Sequence, residues 1–396
     1  PGPHGGAGRA GGEELEQAIT TEQREAALEA ALQDDRFGTA GRLVGRAAPG
    51  WAGERVMAAT KNDWEPAVAA DPHRPFVYIV ATRYGDGKPC PGSCPSPYMA
   101  LEISNNGGHT FGSPKPLCAC KGSGQYDPII EVVQSTGWVY AVYMNGFNVM
   151  FIRSADHGKT WSEPVPTYGN VTWTDKPVMT TSADGKHVYV AWNGPTNGDP
   201  WIAQSHDFGQ TWTQKRIRHL DRYFYAYDAT VAPDGTVVIS QSSMVYKGGT
   251  TIEGPVRQHA FVSRDKGRSW TVVTVATVQP GQPCADCRAD YYVGHSSVDA
   301  AANGRLVFTY DGAVAPLGPQ RVYVTSSTNR GTTWTAPIEL SDPAEHASSP
   351  MLVARGSGDV RLVYMQTADG AAADRWNAWY VRSTNGGATW SAPVDI

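Results

Sequence analysis

Ser154-Ala155-Asp156-His157-Gly158-Lys159-Thr160-Trp161 decides how this chain folds, because it is one of six copies of the same pattern. Written as Ser-x-Asp/Asn-x-Gly-x-Thr/Ser-Trp/Phe, it ends at Phe111, Trp161, Trp212, Trp270, Trp334 and Trp390. The intervals between those aromatics are 50, 51, 58, 64 and 56 residues, and each is about the length of one four-stranded sheet. The motif has the chemistry of a tight β-hairpin: Asp or Asn accepts backbone N–H groups inside the turn, Gly takes a positive φ, and the aromatic packs below. Its residues are therefore expected to build the fold.

Around each copy the periodicity is that of strands. An apolar run precedes the motif, as in Val149-Met150-Phe151-Ile152, and another precedes that, as in Val77-Tyr78-Ile79-Val80, Val139-Tyr140-Ala141-Val142 and Val188-Tyr189-Val190-Ala191. A first strand comes earlier still, and the six align at Trp64-Glu65-Pro66, Tyr126-Asp127-Pro128, Asp175-Lys176-Pro177, Tyr227-Asp228-Ala229, Ser296-Ser297-Val298 and Ser348-Ser349-Pro350. The motif resembles the Asp-box, or BNR repeat, of the sialidase superfamily over about residues 60–396. That resemblance implies an all-β fold, a six-bladed β-propeller of four-stranded blades, with each box joining the third and fourth strands. Residues 1–59 read as a separate N-terminal extension. Residues 1–12 are Gly/Pro-rich, and Glu13 to Leu32 form a helical pattern with Ala26, Ala27, Ala30 and Ala31 on a weakly apolar face.

Composition narrows the function. The chain has 396 residues and a formal net charge of −5 without a Lys/Arg block, which lacks the footprint of phosphate-backbone binding and excludes nucleic acid as an expected partner. Nothing approaches 18 consecutive apolar residues, so no membrane-spanning helix is expected. The six cysteines fall in pairs, Cys90 with Cys94, Cys118 with Cys120 and Cys284 with Cys287. Their even number and Pro/Gly-rich surroundings favour disulfides of unassigned pairing over a metal site. Together with a start at Pro1-Gly2-Pro3-His4 that lacks Met, they lead us to expect a secreted or cell-surface protein, as a monomer.

Candidate chemistry gathers at the starts of the first strands. Glu65, Asp127, Lys176 and Asp228 put charge where a packed core would be apolar, and Trp64, Tyr126, Asp175 and Tyr227 stand one step earlier. Paired carboxylates suit glycoside hydrolysis, so Asp127, Asp228 and Glu65 are the expected acid/base groups, with Asp175 as a modulator and Tyr227 as a further candidate base. Arg83 and Lys176 are expected to hold an anion, and Trp192, Asn193, Asp311, His295 and His346 to line the substrate face. No cofactor is expected, although an acidic ring of this kind also suits Ca²⁺. The sialidases' three arginines, Tyr nucleophile and Asp acid/base are not carried over: Asp63-Trp64-Glu65-Pro66-Ala67 stands where the first arginine motif is expected, and His346-Ala347-Ser348-Ser349 where the tyrosine is. The expected partner is a glycan or polysaccharide and the expected activity a glycoside hydrolase, with a polysaccharide lyase or a non-catalytic glycan- or protein-binding propeller as alternatives.

Overall fold

The computed structural model describes residues 48–53, 57, 62–84, 95–118, 124–217, 222–247, 251–281, 294–367 and 376–396. The helical pattern at Glu13 to Leu32 lies outside the described residues.

The described residues are all-β and form six four-stranded antiparallel sheets in sequence order, the blades of a propeller. Blade one is β1 (Asn62–Ala70), β2 (Val77–Tyr84), β3 (Tyr98–Ser104) and β4 (Lys115–Pro116). Blade two is β5 (Gln125–Val132), β6 (Val139–Asn145), β7 (Val149–Ser154) and β8 (Val165–Pro166). Blade three is β9 (Asp175–Thr181), β10 (Val188–Asn193), β11 (Pro200–Ser205) and β12 (Thr213–Arg216). Blade four is β13 (Tyr223–Val231), β14 (Val237–Met244), β17 (Val256–Ser263) and β18 (Thr271–Val278), with a small hairpin, β15 (Tyr246–Lys247) and β16 (Thr251–Ile252), inserted between its second and third strands. Blade five is β19 (Ser296–Ala300), β20 (Leu306–Ala313), β21 (Gln320–Ser327) and β22 (Ile338–Glu339). Blade six is β23 (Ala347–Arg355), β24 (Asp359–Thr367), β25 (Trp376–Ser383) and β26 (Val394–Asp395).

Each hairpin motif begins at the last residue of a third strand, as expected. In the copy at Ser154, the Ser154 hydroxyl accepts the Gly158 N–H at 2.9 Å and donates to Asp156 Oδ1 at 2.8 Å. Asp156 in turn accepts the Thr160 N–H and hydroxyl, and these bonds hold its carboxyl down at about 2. Where Asn replaces Asp, as at Asn385, the amide oxygen accepts the Thr389 N–H and the amide nitrogen donates to its hydroxyl. Trp390 Nε1 closes the turn onto the Gly387 carbonyl at 3.1 Å.

Two compact units divide the described chain, residues 48–190 with 203–214 and residues 191–202 with 215–396. In the first, β1 lies against β5 and β5 against β9, over a core that includes Tyr78, Val80, Leu101, Ile130, Val139 and Ile152. In the second, β13 lies against β19 and β19 against β23, over one core with Val238, Val256, Val298 and Phe308 and another with Val307, Val324, Leu352 and Leu362. Burying each such side chain is worth about 1.5–3 kcal/mol, which is what drives sheet onto sheet.

Where the first strands begin, the backbone is strained. Glu65, Asp127, Lys176 and Ser349 have φ of 52°, 48°, 50° and 54°, and each precedes a proline. The strand register jumps there, from Trp64↔Thr82 to Ala67↔Val80 and from Ser348↔Met365 to Met351↔Val363. A left-handed non-glycine residue costs about 1–3 kcal/mol and persists where neighbours over-determine it. Here carboxylates do so: the Asp127 N–H donates to Glu65 Oε2, the Lys176 N–H to Asp175 Oδ1 and the Ser349 N–H to Asp311 Oδ2.

Candidate functional site

In the unit holding residues 48–190, three of the expected charged residues meet. Glu65 Oε2 accepts the Thr82 hydroxyl at 2.6 Å and the Asp127 N–H at 3.1 Å. Burial, followed by the neighbouring Asp127 charge, pushes the Glu65 carboxyl up to about 7 against the pull of Lys176. Lys176 Nζ stands 3.7 Å from Asp127 Oδ2. Glu65 and Asp127 are thus neighbouring carboxyls, joined through the Asp127 N–H. Asp175 is buried and caps the Lys176 N–H, while Trp64 and Tyr126 are partly exposed.

Arg83 differs from expectation. It is 2% exposed, and its fork closes on Asp63, Nε to Oδ1 and Nη2 to Oδ2 at 2.6 Å each, with Glu102 at 3.5 Å. A bidentate partner of its own takes the place of the expected anion.

The second unit holds the remaining candidates. Trp192 is 0% exposed and Asn193 is equally enclosed, its Nδ2 donating to the Tyr223 hydroxyl at 3.4 Å, so both belong to the core and not to a substrate face. His346 is also internal: its Nδ1 accepts the Gln320 N–H at 3.1 Å, its ring lies against Trp376, and burial lowers its pKa. Asp228 turns toward the neighbouring blade, where Oδ2 accepts the Ser297 hydroxyl at 2.5 Å and the Val298 N–H at 3.2 Å, and Oδ1 accepts the Ala229 N–H. Burial pushes Asp228 up to about 7 against those donors. Asp299, which sequence reading did not single out, makes the same kind of staple, with Oδ1 accepting the Thr230 hydroxyl and Oδ2 the Ala354 N–H.

His295 is different because it reaches solvent. Its side chain is 22% exposed, and Nδ1 lies 2.8 Å from Oδ2 of Asp311, whose side chain is fully buried. Asp311 Oδ1 accepts the N–H groups of Gly294 and His295, and Oδ2 also accepts the Ser348 hydroxyl and the Ser349 N–H. Every one of these partners is a donor, so the carboxylate calls for a proton on Nδ1 and leaves Nε2 as the accepting nitrogen. Tyr227 sets its ring edge-on to the imidazole, with centroids 5.3 Å apart. The sequence placed Tyr227, His295 and Asp311 on three separate strand ends, and the fold brings them together.

Cys118 is disulfide-bonded, and Cys90, Cys94, Cys120, Cys284 and Cys287 lie outside the described residues. Among the described residues no group of three or more His, Cys, Asp and Glu is placed to hold a metal, and no helix is long and apolar enough to cross a membrane.

Neither the protein-family comparison nor the comparison with curated proteins gives a match. Solved structures do resemble the chain. A Dyadobacter fermentans protein of unknown function aligns over 82% of this chain and 94% of its own, at 16% identity and a TM-score of 0.52. An ulvan lyase aligns over 85% of each chain, at 13% identity and a TM-score of 0.55, and a second structure of it is bound to -[GlcA(1-4)Rha3S]-. The NanB sialidase of Streptococcus pneumoniae aligns over 84% of this chain and 68% of its own, at 10% identity and a TM-score of 0.53. At these identities the likeness is one of fold, and the fold it supports is the propeller.

Proposed function

We propose that this protein is an exported polysaccharide-cleaving enzyme that acts on a uronic acid polymer by β-elimination, with His295 as the base. The observation that carries the reading is the His295–Asp311 pair, a part-exposed imidazole oriented by a buried carboxylate beside the Tyr227 ring. In the elimination, Nε2 of His295 takes the proton on the carbon next to the substrate carboxylate. The electron pair left behind forms the carbon–carbon double bond as the glycosidic C–O bond breaks, and the departing oxygen takes the Tyr227 hydroxyl proton. In the same unit Asp228, Asp299 and Asp311 spend their oxygens on backbone and hydroxyl donors, which leaves none of these three placed as the carboxylate pair that hydrolysis requires. The ulvan lyase's bound glucuronate-containing repeat agrees with this substrate class, and the Cys118 disulfide agrees with export.

Hydrolysis is the second reading, favoured by Glu65, whose carboxyl at about 7 suits a general acid beside Asp127. Purified protein incubated with glucuronate- and galacturonate-containing polymers, arabinans and sialosides distinguishes the two. Elimination yields unsaturated uronates that absorb in the ultraviolet, and His295→Ala abolishes them. New reducing ends without unsaturation, lost in Glu65→Gln, would establish hydrolysis instead. Binding without either product would leave a glycan-binding propeller.

A further inference from the structure

Arg222 and Arg257 put two like charges at one end of blade four. Arg222 directly precedes β13, and Arg257 is the second residue of β17, paired across the ladder with Ser243 of β14. The Arg222 guanidinium reaches over the sheet to that pair. Its Nε donates to the Ser243 hydroxyl at 3.0 Å, and Nη2 donates to the carbonyls of Ser243 at 2.8 Å and Pro255 at 2.7 Å. These bonds fix the plane of the fork and occupy Nε and Nη2, which leaves the Nη1 end for another acceptor. Arg257 is exposed, and among the described residues neither arginine has a carboxylate partner. Burial, followed by the Arg257 charge, lowers the Arg222 pKa.

A half-buried guanidinium beside a second one costs free energy that a carboxylate ordinarily offsets, as Asp199 does for Arg216 in the same unit. An anion from outside the chain has the chemistry to do the same. A carboxylate or a sulfate ester accepts from such forks through two oxygens, and a fork already held by the backbone loses little freedom when it binds. The pair also stands at the His295 end of its unit. β13 and β19 lie side by side and run the same way, since Asp228 reaches Ser297 and Thr230 reaches Asp299. His295 directly precedes β19 and meets Tyr227 of β13, whereas Arg222 turns toward β17. From Arg222 to Tyr227 is about 17 Å of extended strand, so an anion held by the arginines belongs to a different sugar from the one His295 deprotonates.

We propose that Arg222 and Arg257 form an anion subsite that holds an acidic substituent, a carboxylate or a sulfate ester, on a second sugar of the polymer. The inference rests on the proposed activity toward a uronic acid polymer. Its test is calorimetric titration of sulfated glucuronate-containing oligosaccharides, and of their desulfated and carboxyl-reduced forms, onto the His295→Ala protein. The titrations are repeated with Arg257→Gln or Arg257→Glu added, alongside turnover by the same arginine variants with His295 intact.

The subsite predicts that Arg257→Gln raises Kd and KM about tenfold with kcat unchanged and flattens the dependence of Kd on NaCl, and that Arg257→Glu raises both constants further. Whichever of desulfation and carboxyl reduction weakens binding when Arg257 is present, and not when Gln replaces it, names the anion. If neither does, the subsite is overturned. Unchanged Kd and KM in both variants, folded by circular dichroism and with cleavage intact, would also overturn the subsite and leave the activity standing. Absence of both binding and cleavage in the parent protein would overturn the activity and the subsite together.

Discussion

Asp311→Asn tests the acid–base pair at its root. The carboxylate accepts the Gly294 and His295 N–H groups on one oxygen, and the His295 Nδ1, Ser348 hydroxyl and Ser349 N–H on the other, in a place closed to water. An asparagine keeps one accepting oxygen. If that oxygen stays on Gly294 and His295, the amide nitrogen faces three donors. Ser348 can rotate and the imidazole can change tautomer, but the Ser349 N–H, on an exposed residue, then loses its acceptor, at a cost of about 1 kcal/mol. Charge-assisted bonds reduced to neutral ones at Gly294 and His295 add about 1 kcal/mol each, so the fold should lose about 3 kcal/mol in urea unfolding followed by tryptophan fluorescence. The tautomer change also puts the proton on Nε2, where the base must be empty, and turnover should fall about 10²–10⁴-fold. Ser348→Ala removes one donor while leaving the imidazole bond in place, and should cost about 1 kcal/mol with turnover nearly kept. An Asp311→Asn protein with the urea midpoint and the turnover of the parent would refute the reasoning.

Glu65→Gln should change the pH dependence of stability. The folded carboxyl titrates near 7 against a reference of 4.5, so its proton stabilises the fold fully below the reference value and that contribution is lost as pH rises through 7. Glutamine keeps the accepting oxygen and does not titrate; relative to the parent, the variant should gain about 1–3 kcal/mol between pH 5 and pH 8 in denaturant titrations, and a flat difference would contradict the assignment. The hairpin carboxylates behave oppositely, since Asp156, Asp207 and Asp265 are each held at about 2 and their stabilisation is present above the ordinary carboxylate range and lost as pH falls toward 2. Replacing all three by Asn, as three other copies of the turn already have, should flatten acid unfolding monitored by circular dichroism between pH 5 and pH 2. Gly209→Ala should destabilise by about 1–3 kcal/mol, because φ there is 79° and a Cβ would run into the Phe151 ring; a thermal melt that matches the parent would count against that packing.

The turns at Ser104, Ser154, Ser205, Ser263, Ser327 and Ser383 were legible because their chemistry is local, each donor and acceptor lying within eight residues of the next. The starts of the first strands were legible for the same reason, since Pro66, Pro128, Pro177 and Pro350 mark a repeated backbone break. What charge does at those positions was not. Asp228 looks like part of a catalytic ring in one dimension, and only the neighbouring strand shows that its Oδ2 faces Ser297 and Val298. Arg83 reads as an anion anchor until Asp63, its cross-strand partner, takes both arms of the fork. Trp192 was placed on a substrate face because it ends a strand, yet it is enclosed by packing that no local pattern reports.

The most direct test of the account compares the parent protein with His295→Ala on a glucuronate-containing polymer, reading the ultraviolet absorbance of unsaturated uronate while calorimetry confirms that both proteins bind it. The account predicts steady absorbance growth for the parent and none for the bound variant. Equal growth in both, or parent cleavage that produces reducing ends without unsaturation, would contradict it.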